Sequence, residues 1–357
     1  MLNTFHCPAN RIGLGKKSLI GDRILGKTIV AAKTLAKALT SSGNAAAEGV
    51  SVVMVSYWTG PVLFAAIEAV LAEYQQGVVE LILVDSGNPP VVTEELACRA
   101  KTEPRLRLVS GDGNIGYARA CNIGARRAVG RYLLLLNPDC CLGPGAIPAL
   151  LAEASVLGDH WMLGCRVVNP DGSEQCGSRR ALLTPYTALV EAFRLDLLIP
   201  RLFRRHRLNR HHDPLPNDTV RIPAVSGACM MLPATTFQAM GGLDEGYFLH
   251  VDDLDLCLRL DRAGIAVYYA PRVEVVHFAS SSRANPIWIE WHKTRGFLRY
   301  FWTHFRGPPW FFLRAALCVG VLTRFGFKAM RLLLQLGWRQ LFPSQAKRPG
   351  TFYRDPT

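Results

Sequence analysis

Four consecutive leucines, Leu133 to Leu136, run without a break into Asn137-Pro138-Asp139. An apolar run of this kind reads as a strand covered on both faces, the sort found in the middle of a parallel sheet with helices on either side. Few architectures accommodate such a strand, and its ending raises a chemical question. Pro138 restricts the backbone, so the Asp139 carboxylate is displayed at the edge of the sheet. Asn-Pro-Asp is also good turn chemistry, and the tripeptide alone does not separate a turn from a site.

The segments upstream supply the rest of such a sheet. "VSVVMVSY" (50–57) and "VVELILVD" (78–85) read as strands flanking a helical pattern over 62–74. A third strand, "RLRLVS", leads through "GDGNIG" to a helix expected over 117–129 and closed by Gly130. Strands alternating with helices argue for a parallel sheet in an α/β domain, whose ligands bind beyond the carboxyl ends of the strands. Tyr57, Asp85, Asn114 and Asp139 all fall at that edge. Beyond residue 160 the pattern changes to mixed or antiparallel. A hairpin is expected around Asn169 to Gly172, a strand at "RIPAVSGACMML", a helix entered through "DEGYFLHVDDLDL", and two short strands in "AVYYAPRVEVVHF".

Charge divides the chain in three. The net charge is +13, but residues 50–282 carry twenty-one Lys/Arg against twenty-four acids; the excess lies in residues 1–49 and above all in residues 283–357, with thirteen basic residues against two acidic. The basic character therefore lies outside the ordered centre, which argues against a nucleic-acid binder. The ten cysteines form no C-x-x-C pair and several sit in apolar runs, so reduced thiols in a cytosolic protein are expected. No signal peptide or convincing transmembrane span is read: Lys33 and Lys37 break the N-terminal apolar stretch, and Ala315 to Thr323 is too short.

Two further groups carry candidate chemistry. Asp252, Asp253 and Asp255 open a helix whose dipole favours acids, and one of them is expected as a cap. Asp255 with Arg259 at i, i+4 accounts for one acid only, and crowding by like charge is expected to raise the proton affinity of Asp253, as suits a general base. His277 closes the apolar strand "VEVVHF". With Asp139 it offers two ligands to a divalent cation whose shell substrate phosphates would complete. "GDGNIG" is not G-x-G-x-x-G, so it carries no phosphate-binding assignment by itself.

Five blocks, "VSVVMVSY", "LILVDSGN", "NIGYARACNIGARRAVGRYLLLLNPD", "GACMMLPATTFQAMGGLDEGYFLHVDDLDLCLRLDRAG" and "VVHFASSS", resemble in order and spacing a family 2 glycosyltransferase of GT-A fold, near the bacterial rhamnosyltransferase-like branch. The resemblance spans residues 50–282. It implies an α/β, Rossmann-like mixed sheet with a basic helical C-terminal appendage at 283–357 and a basic N-terminal extension at 1–49. By the same resemblance Asp85 contacts the nucleotide base, Tyr57 and Asn114 line the nucleotide pocket, and Asp139 closes the metal-binding D-x-D element, with His277 as the later metal or diphosphate contact. Asn137 stands on the nucleotide side of that element, where many relatives have its first aspartate. The Glu-Asp pair of the family falls on Asp252-Asp253, with Asp253 as the base.

The implied reaction is one in-line displacement with inversion, from a dTDP-rhamnose or UDP-hexose donor to a glycan or polyprenyl-diphosphate-linked acceptor, assisted by Mg²⁺ or Mn²⁺. The Q-x-x-R-W element of processive synthases is absent. The aromatic and basic tail suits the anionic inner face of the cytoplasmic membrane, and Arg201, Arg204 and Arg205 are candidates for an acceptor diphosphate. Two rivals stand beside this reading. A nucleotide-dependent oxidoreductase lacks the glycine fingerprint after its first strand, and a degenerate transferase that binds membrane or a partner without turnover would explain Asn137.

Overall fold

The β-branched run after Ala47 forms the first strand, β1 (Ala47–Ser56), and everything around it is built to bury it. In this computed structural model, residues 47–192, 195–203, 206–279 and 285–341 are described. Strand β1 is followed by α1 (Val62–Ala72), β2 (Val78–Asp85), α2 (Pro90–Thr102), β3 (Leu106–Val109), α3 (Tyr117–Ala125) and β4 (Gly130–Leu136). Strands β3, β2, β1 and β4 lie side by side in that order and all parallel, as the alternation of strand and helix patterns predicts. Leu134 and Leu136 pack with Val52, Met54 and Leu83 against Ile67 of α1 and Leu96 of α2. On the other face α3 comes close enough that a Cβ on Gly124 would stand 2.5 Å from Val53 Cγ1. The leucine strand is therefore covered on both sides.

The second half adds β5 (Cys140–Leu142), α4 (Ala146–Ala154), β6 (Trp161–Val168), β7 (Arg179–Arg180), the helices α5 (Pro185–Ala192), α6 (Leu195–Leu198) and α7 (Pro200–Phe203), then β8 (Val220–Arg221), β9 (Ala224–Val225) and β10 (Cys229–Pro233). After α8 (Ala234–Ala239) and α9 (Asp252–Arg262) comes β11 (Ala266–His277). The sheet continues β4-β10-β6-β11-β5, with β10 antiparallel to both its neighbours and β11 parallel to β6. Two reversals restore the direction of β4, so β11 delivers His277 to the edge at which β4 delivers Asn137.

Local readings of the second half needed adjustment. "AVYYAPRVEVVHF" forms one twelve-residue strand with an irregularity between Ala270 and Glu274, because Pro271 interrupts pairing without ending the strand. "RIPAVSGACMML" divides into β8, β9 and β10. The turn at Asn169 to Gly172 forms, yet its return arm pairs with β6 only at Val168 and Glu174.

The chain then forms two long helices, α10 (Pro286–His304) and α11 (Phe311–Leu341). Asn285 caps α10 by accepting from the Ile287 amide at 2.9 Å, with Pro286 at its first position. Thr294, Gly296, Tyr300 and Phe301 of α10 are buried, and the Tyr300 hydroxyl donates to the Leu183 carbonyl at 2.7 Å. Among the described residues no helix is long and apolar enough to cross a membrane. The nine described cysteines are free thiols. The N-terminal extension, apart from its last residues, lies outside the described residues.

Candidate active site

Strand ends bring the expected residues to one edge. Asp85 terminates β2 and spends its carboxylate on the turn that follows: Oδ1 accepts from the amides of Gly87 (3.1 Å) and Asn88 (2.9 Å), and Oδ2 from the Thr93 hydroxyl (2.6 Å). The Asn88 amide group bridges back to Ser56, and Asn88 Oδ1 accepts from Trp58 N at 2.8 Å, so Asp85 and Asn88 lock the ends of β1 and β2 together. Tyr57 follows β1, its ring 6.3 Å from that of Trp288 on α10. Asn114 shapes the loop before α3, its Oδ1 accepting from Gly116 N at 3.3 Å.

Asn137, Asp139 and His277 meet directly. His277 pairs with Cys140 across β11 and β5, and its Nε2 lies 3.1 Å from Asp139 Oδ1 and 3.4 Å from Asn137 Nδ2. Its other ring nitrogen, Nδ1, lies 2.6 Å from Gln175 Oε1. An amide oxygen accepts only, so Nδ1 carries a proton and Nε2 is the nitrogen that faces the Asp139 carboxylate. When Nε2 carries no proton, the two atoms at 3.1 Å can ligate one cation together. Asp139, Cys140 and His277 form the one cluster of possible metal ligands among the described residues. Burial pushes the Cys140 thiol well above its ordinary range, so it stays protonated and does not bind hard cations. The donor set is thus one carboxylate and one imidazole, which fits Mg²⁺ or Mn²⁺ with substrate oxygens completing the shell.

The acid pair is linked to this cluster through the two residues before β10, Gly227 and Ala228. Asn137 N donates to Ala228 O at 2.9 Å, Gly227 N donates to Asp253 Oδ2 at 3.0 Å, and a Cβ on Gly227 would meet Asp253 Cβ at 2.9 Å. Arg180, from β7, forms an ion pair with Asp253, both largely buried. Burial by itself would raise the Asp253 carboxyl, but the Arg180 guanidinium and the amides of Leu254 and Gly227 outweigh it and hold Asp253 below the usual range. The expectation that crowding raises Asp253 is therefore reversed. Asp252, buried, is instead raised to about 8, first by desolvation and then by the charge of Asp253, which outweigh the opposing influence of Arg180. None of the three acids is the N-cap: that position is Val251, which makes no side-chain cap.

Asp255 is structural. Its Oδ2 accepts from Arg259 Nε at 2.7 Å, and its Oδ1 lies 2.6 Å from His304 Nε2 and 3.2 Å from the Tyr247 hydroxyl. His250 and Val251, just before the acid pair, have φ of 64° and 72°, a conformation strained for a β-branched residue. Helix α10 packs on this turn, and its Trp288 and His292 meet Phe248 of the same loop at 5.3 and 4.3 Å between ring centroids. The aromatic tail thus begins as part of the site, which its composition does not reveal. Arg201 is exposed on α7, while Arg204 and Arg205 lie outside the described residues. Sequence reasoning missed Asn88, Gln175, Arg180 and Gly227, although Asn88 closes "LILVDSGN" and Gly227 opens "GACMMLPATT".

Comparison with known proteins bears on the family and the fold. Residues 51–220 match the family model described as glycosyl transferase family 2. An N-acetylglucosaminyl-diphospho-decaprenol L-rhamnosyltransferase of Mycobacterium tuberculosis is 29% identical over 250 residues, 65% of this chain and 76% of that protein. Rhamnosyltransferase WbbL of Escherichia coli K12 is 38% identical over 84 residues, 24% of this chain and 31% of that protein. Among solved structures, GalNAc-T7 with UDP, GalNAc and Mn²⁺ is similar in fold, with a TM-score of 0.50 at 16% identity over 72% of this chain and 48% of that one. This chain thus spans about half the length of that structure. The mixed sheet and these likenesses agree: residues 51–220 match the glycosyl transferase family 2 model, the chain is similar in sequence to bacterial rhamnosyltransferases, and its fold is similar to that of a solved glycosyltransferase.

Proposed function

We propose that this glycosyltransferase moves a single sugar from dTDP-rhamnose, or failing that a UDP-hexose, to a polyprenyl-diphosphate-linked or glycan acceptor, with inversion at the anomeric carbon. The mycobacterial relative is named for rhamnosyl transfer to a decaprenyl-diphosphate acceptor, and that name supports the choice of donor and acceptor class. The observation that carries the reading is the pair of lone-pair donors, Asp139 Oδ1 and His277 Nε2, held 3.1 Å apart at the sheet edge. A divalent cation bound by these two residues and by the donor diphosphate would stabilise the leaving nucleoside diphosphate.

Asp253 is the proposed base. Arg180 and Gly227 hold Asp253 Oδ2, which keeps the carboxylate ionised and oriented when the acceptor hydroxyl approaches. The hydroxyl gives its proton to Asp253 as its oxygen attacks the anomeric carbon opposite the leaving diphosphate. Asp252, with its raised proton affinity, stays protonated near neutrality and leaves Asp253 as the charged member of the pair. Asp85, with Tyr57 and Asn114 beside it, is the proposed nucleotide contact, and Asn137 the contact between nucleotide side and metal side. Lys293 of α10, its proton affinity lowered by burial and electrostatically coupled to Asp253, is a proposed contact for an anionic acceptor, as is the exposed Arg201 of α7.

The membrane surface is the proposed location of the acceptor. Phe312, Phe327 and Leu334 of α11 are 82%, 65% and 68% exposed, and with Val319 and Met330 they form one helical stripe beside Arg324, Lys328 and Arg331. Incubating the protein with dTDP-rhamnose and UDP-hexoses, a polyprenyl-diphosphate-linked sugar and Mg²⁺ or Mn²⁺ tests the reading. The expected product is one added sugar per acceptor, lost in chelator. Full transfer in chelator would remove the metal, and transfer to water alone would remove the acceptor class.

A further inference from the structure

We infer that Gln175 is a positioning residue that fixes the tautomer of His277 and so prepares Nε2 to hold the divalent cation, an inference that rests on the metal reading above. The decisive contact is Gln175 Oε1 to His277 Nδ1 at 2.6 Å. The orientation of the Gln175 amide is set by its far side: Nε2 donates to Asn169 Oδ1 at 3.0 Å, and to the His277 carbonyl at 3.4 Å. Asn169 is oriented in turn, because its Nδ2 donates to Ser173 Oγ at 2.9 Å, and that hydroxyl donates to Asp171 Oδ1 at 2.6 Å. Reversing the Gln175 amide would face its NH₂ toward Nδ1 and press Oε1 against Asn169 Oδ1. The turn at 169–173, an ordinary hairpin signal in the sequence, thus fixes one amide, and that amide fixes one proton.

The proton's position decides whether the site can take a cation. In the neutral ring with its proton on Nδ1, Nε2 offers a lone pair toward Asp139, and the Asn137 amide at 3.4 Å is a donor compatible with it. With the other tautomer Nε2–H would donate to Asp139 Oδ1, and the pair would close on itself without a metal. Partners on the remote nitrogen of a metal-binding histidine commonly contribute ten- to a hundredfold in metal affinity. Gln175 touches neither substrate nor cation, and it acts only through the ring.

Mn²⁺ binding, measured by the free-ion electron paramagnetic resonance signal with UDP or dTDP present, tests this in the full chain, together with long-range ¹H–¹⁵N spectra of histidine-labelled protein without metal. Wild type is expected to show His277 as the Nδ1–H tautomer. Gln175→Leu is expected to lose ten- to a hundredfold in Mn²⁺ affinity and to move His277 toward Nε2–H, with its unfolding temperature little changed. Gln175→Glu, which keeps an accepting oxygen at Nδ1, is expected to retain the tautomer and affinity within a few-fold of wild type. Mn²⁺ affinity in Gln175→Leu within twofold of wild type would overturn the inference, and so would an Nε2–H tautomer in wild type, which decides the matter even if the leucine variant does not fold. A wild-type protein that takes up no Mn²⁺ with either nucleotide would overturn the metal reading itself, whatever the tautomer.

Discussion

Gly296, in the middle of α10, lies so close to Val251 that a Cβ at position 296 would stand 3.1 Å from Val251 Cγ2 and 3.3 Å from the His250 carbonyl oxygen. The two residues it touches are the pair held at positive φ immediately before Asp252-Asp253. A helix from the basic C-terminal region thus bears on the strained turn that aims the acid pair. Strain of this kind costs on the order of 1–3 kcal/mol and persists only where the surroundings impose it. We expect Gly296→Leu to lower transfer by at least tenfold while leaving donor affinity close to wild type, because the displaced groups adjoin the proposed base and not the proposed nucleotide contacts. Titration calorimetry of donor alongside steady-state transfer checks this. Equal loss of donor affinity and turnover would show instead that α10 supports the whole domain and not this turn.

Asp253→Asn keeps the size of the side chain but cannot take a proton, and transfer is expected to fall by about 10² to 10⁴. Donor binding should persist. Arg180→Gln tests the other half of the ion pair: without the guanidinium the buried Asp253 carboxylate loses its main stabiliser, so its proton affinity rises. The acidic limb of the rate profile should then move to higher pH. A profile unmoved by Arg180→Gln would separate Asp253 from the titration that governs turnover.

Asp252 predicts a stability that falls as pH rises. Its folded-state proton affinity is raised to about 8 from an ordinary 3.8, so the folded protein keeps a proton that the unfolded chain has lost across that window. The contribution is fully present below about pH 4 and is lost as pH rises toward 8, at up to roughly 1.4 kcal/mol per pH unit. Asp252→Asn, which keeps a neutral side chain at every pH, should flatten the decline in melting temperature between pH 6 and 8.5. A decline just as steep in the variant would place the responsible group elsewhere.

The sequence made the edge of the sheet legible because strand periodicity, the leucine run and the end-of-strand positions of Asp85, Asn137 and Asp139 are all local signals. The partners of those residues were not legible. Gln175 reaches His277 across 102 positions and Arg180 reaches Asp253 across 73, and nothing in the neighbourhood of either residue marks such contacts. The error over Asp253 has the same origin. Counting acids within four residues captures their mutual repulsion and omits a cation supplied from another strand, which proves the larger influence. The tail misled for a different reason: its aromatic and basic composition is shared by α10, which packs, and α11, whose apolar stripe is exposed.

That division of the tail gives the last prediction. Removing everything after about residue 282 would strip Tyr300 and Phe301 from the core, together with His304 from Asp255 and the Arg299 pairing with Asp244, so such a chain should fail to fold and lose donor binding too. A chain ending near residue 307 keeps all of these contacts and loses α11 with the short turn Pro308–Trp310 before it. It should bind donor and Mn²⁺ like the full chain, yet fail to sediment with anionic vesicles. Glu290 of α10, which pairs with Arg324 at 3.0 Å and Lys328 at 2.7 Å, becomes solvent-exposed in that chain at little cost, because ion pairs this open are worth about 0–1 kcal/mol. The apolar stripe can be tested without truncation. Phe312→Ser, Phe327→Ser and Leu334→Ser combined should lower vesicle binding at least tenfold and slow transfer to a polyprenyl-linked acceptor in vesicles, while transfer to a water-soluble acceptor analogue stays unchanged. Arg331→Glu, which alters charge without touching the stripe, should weaken binding only to vesicles containing anionic lipid. Vesicle binding that survives the triple serine variant would remove α11 as the membrane contact, and a matching loss with the soluble acceptor would make its role structural.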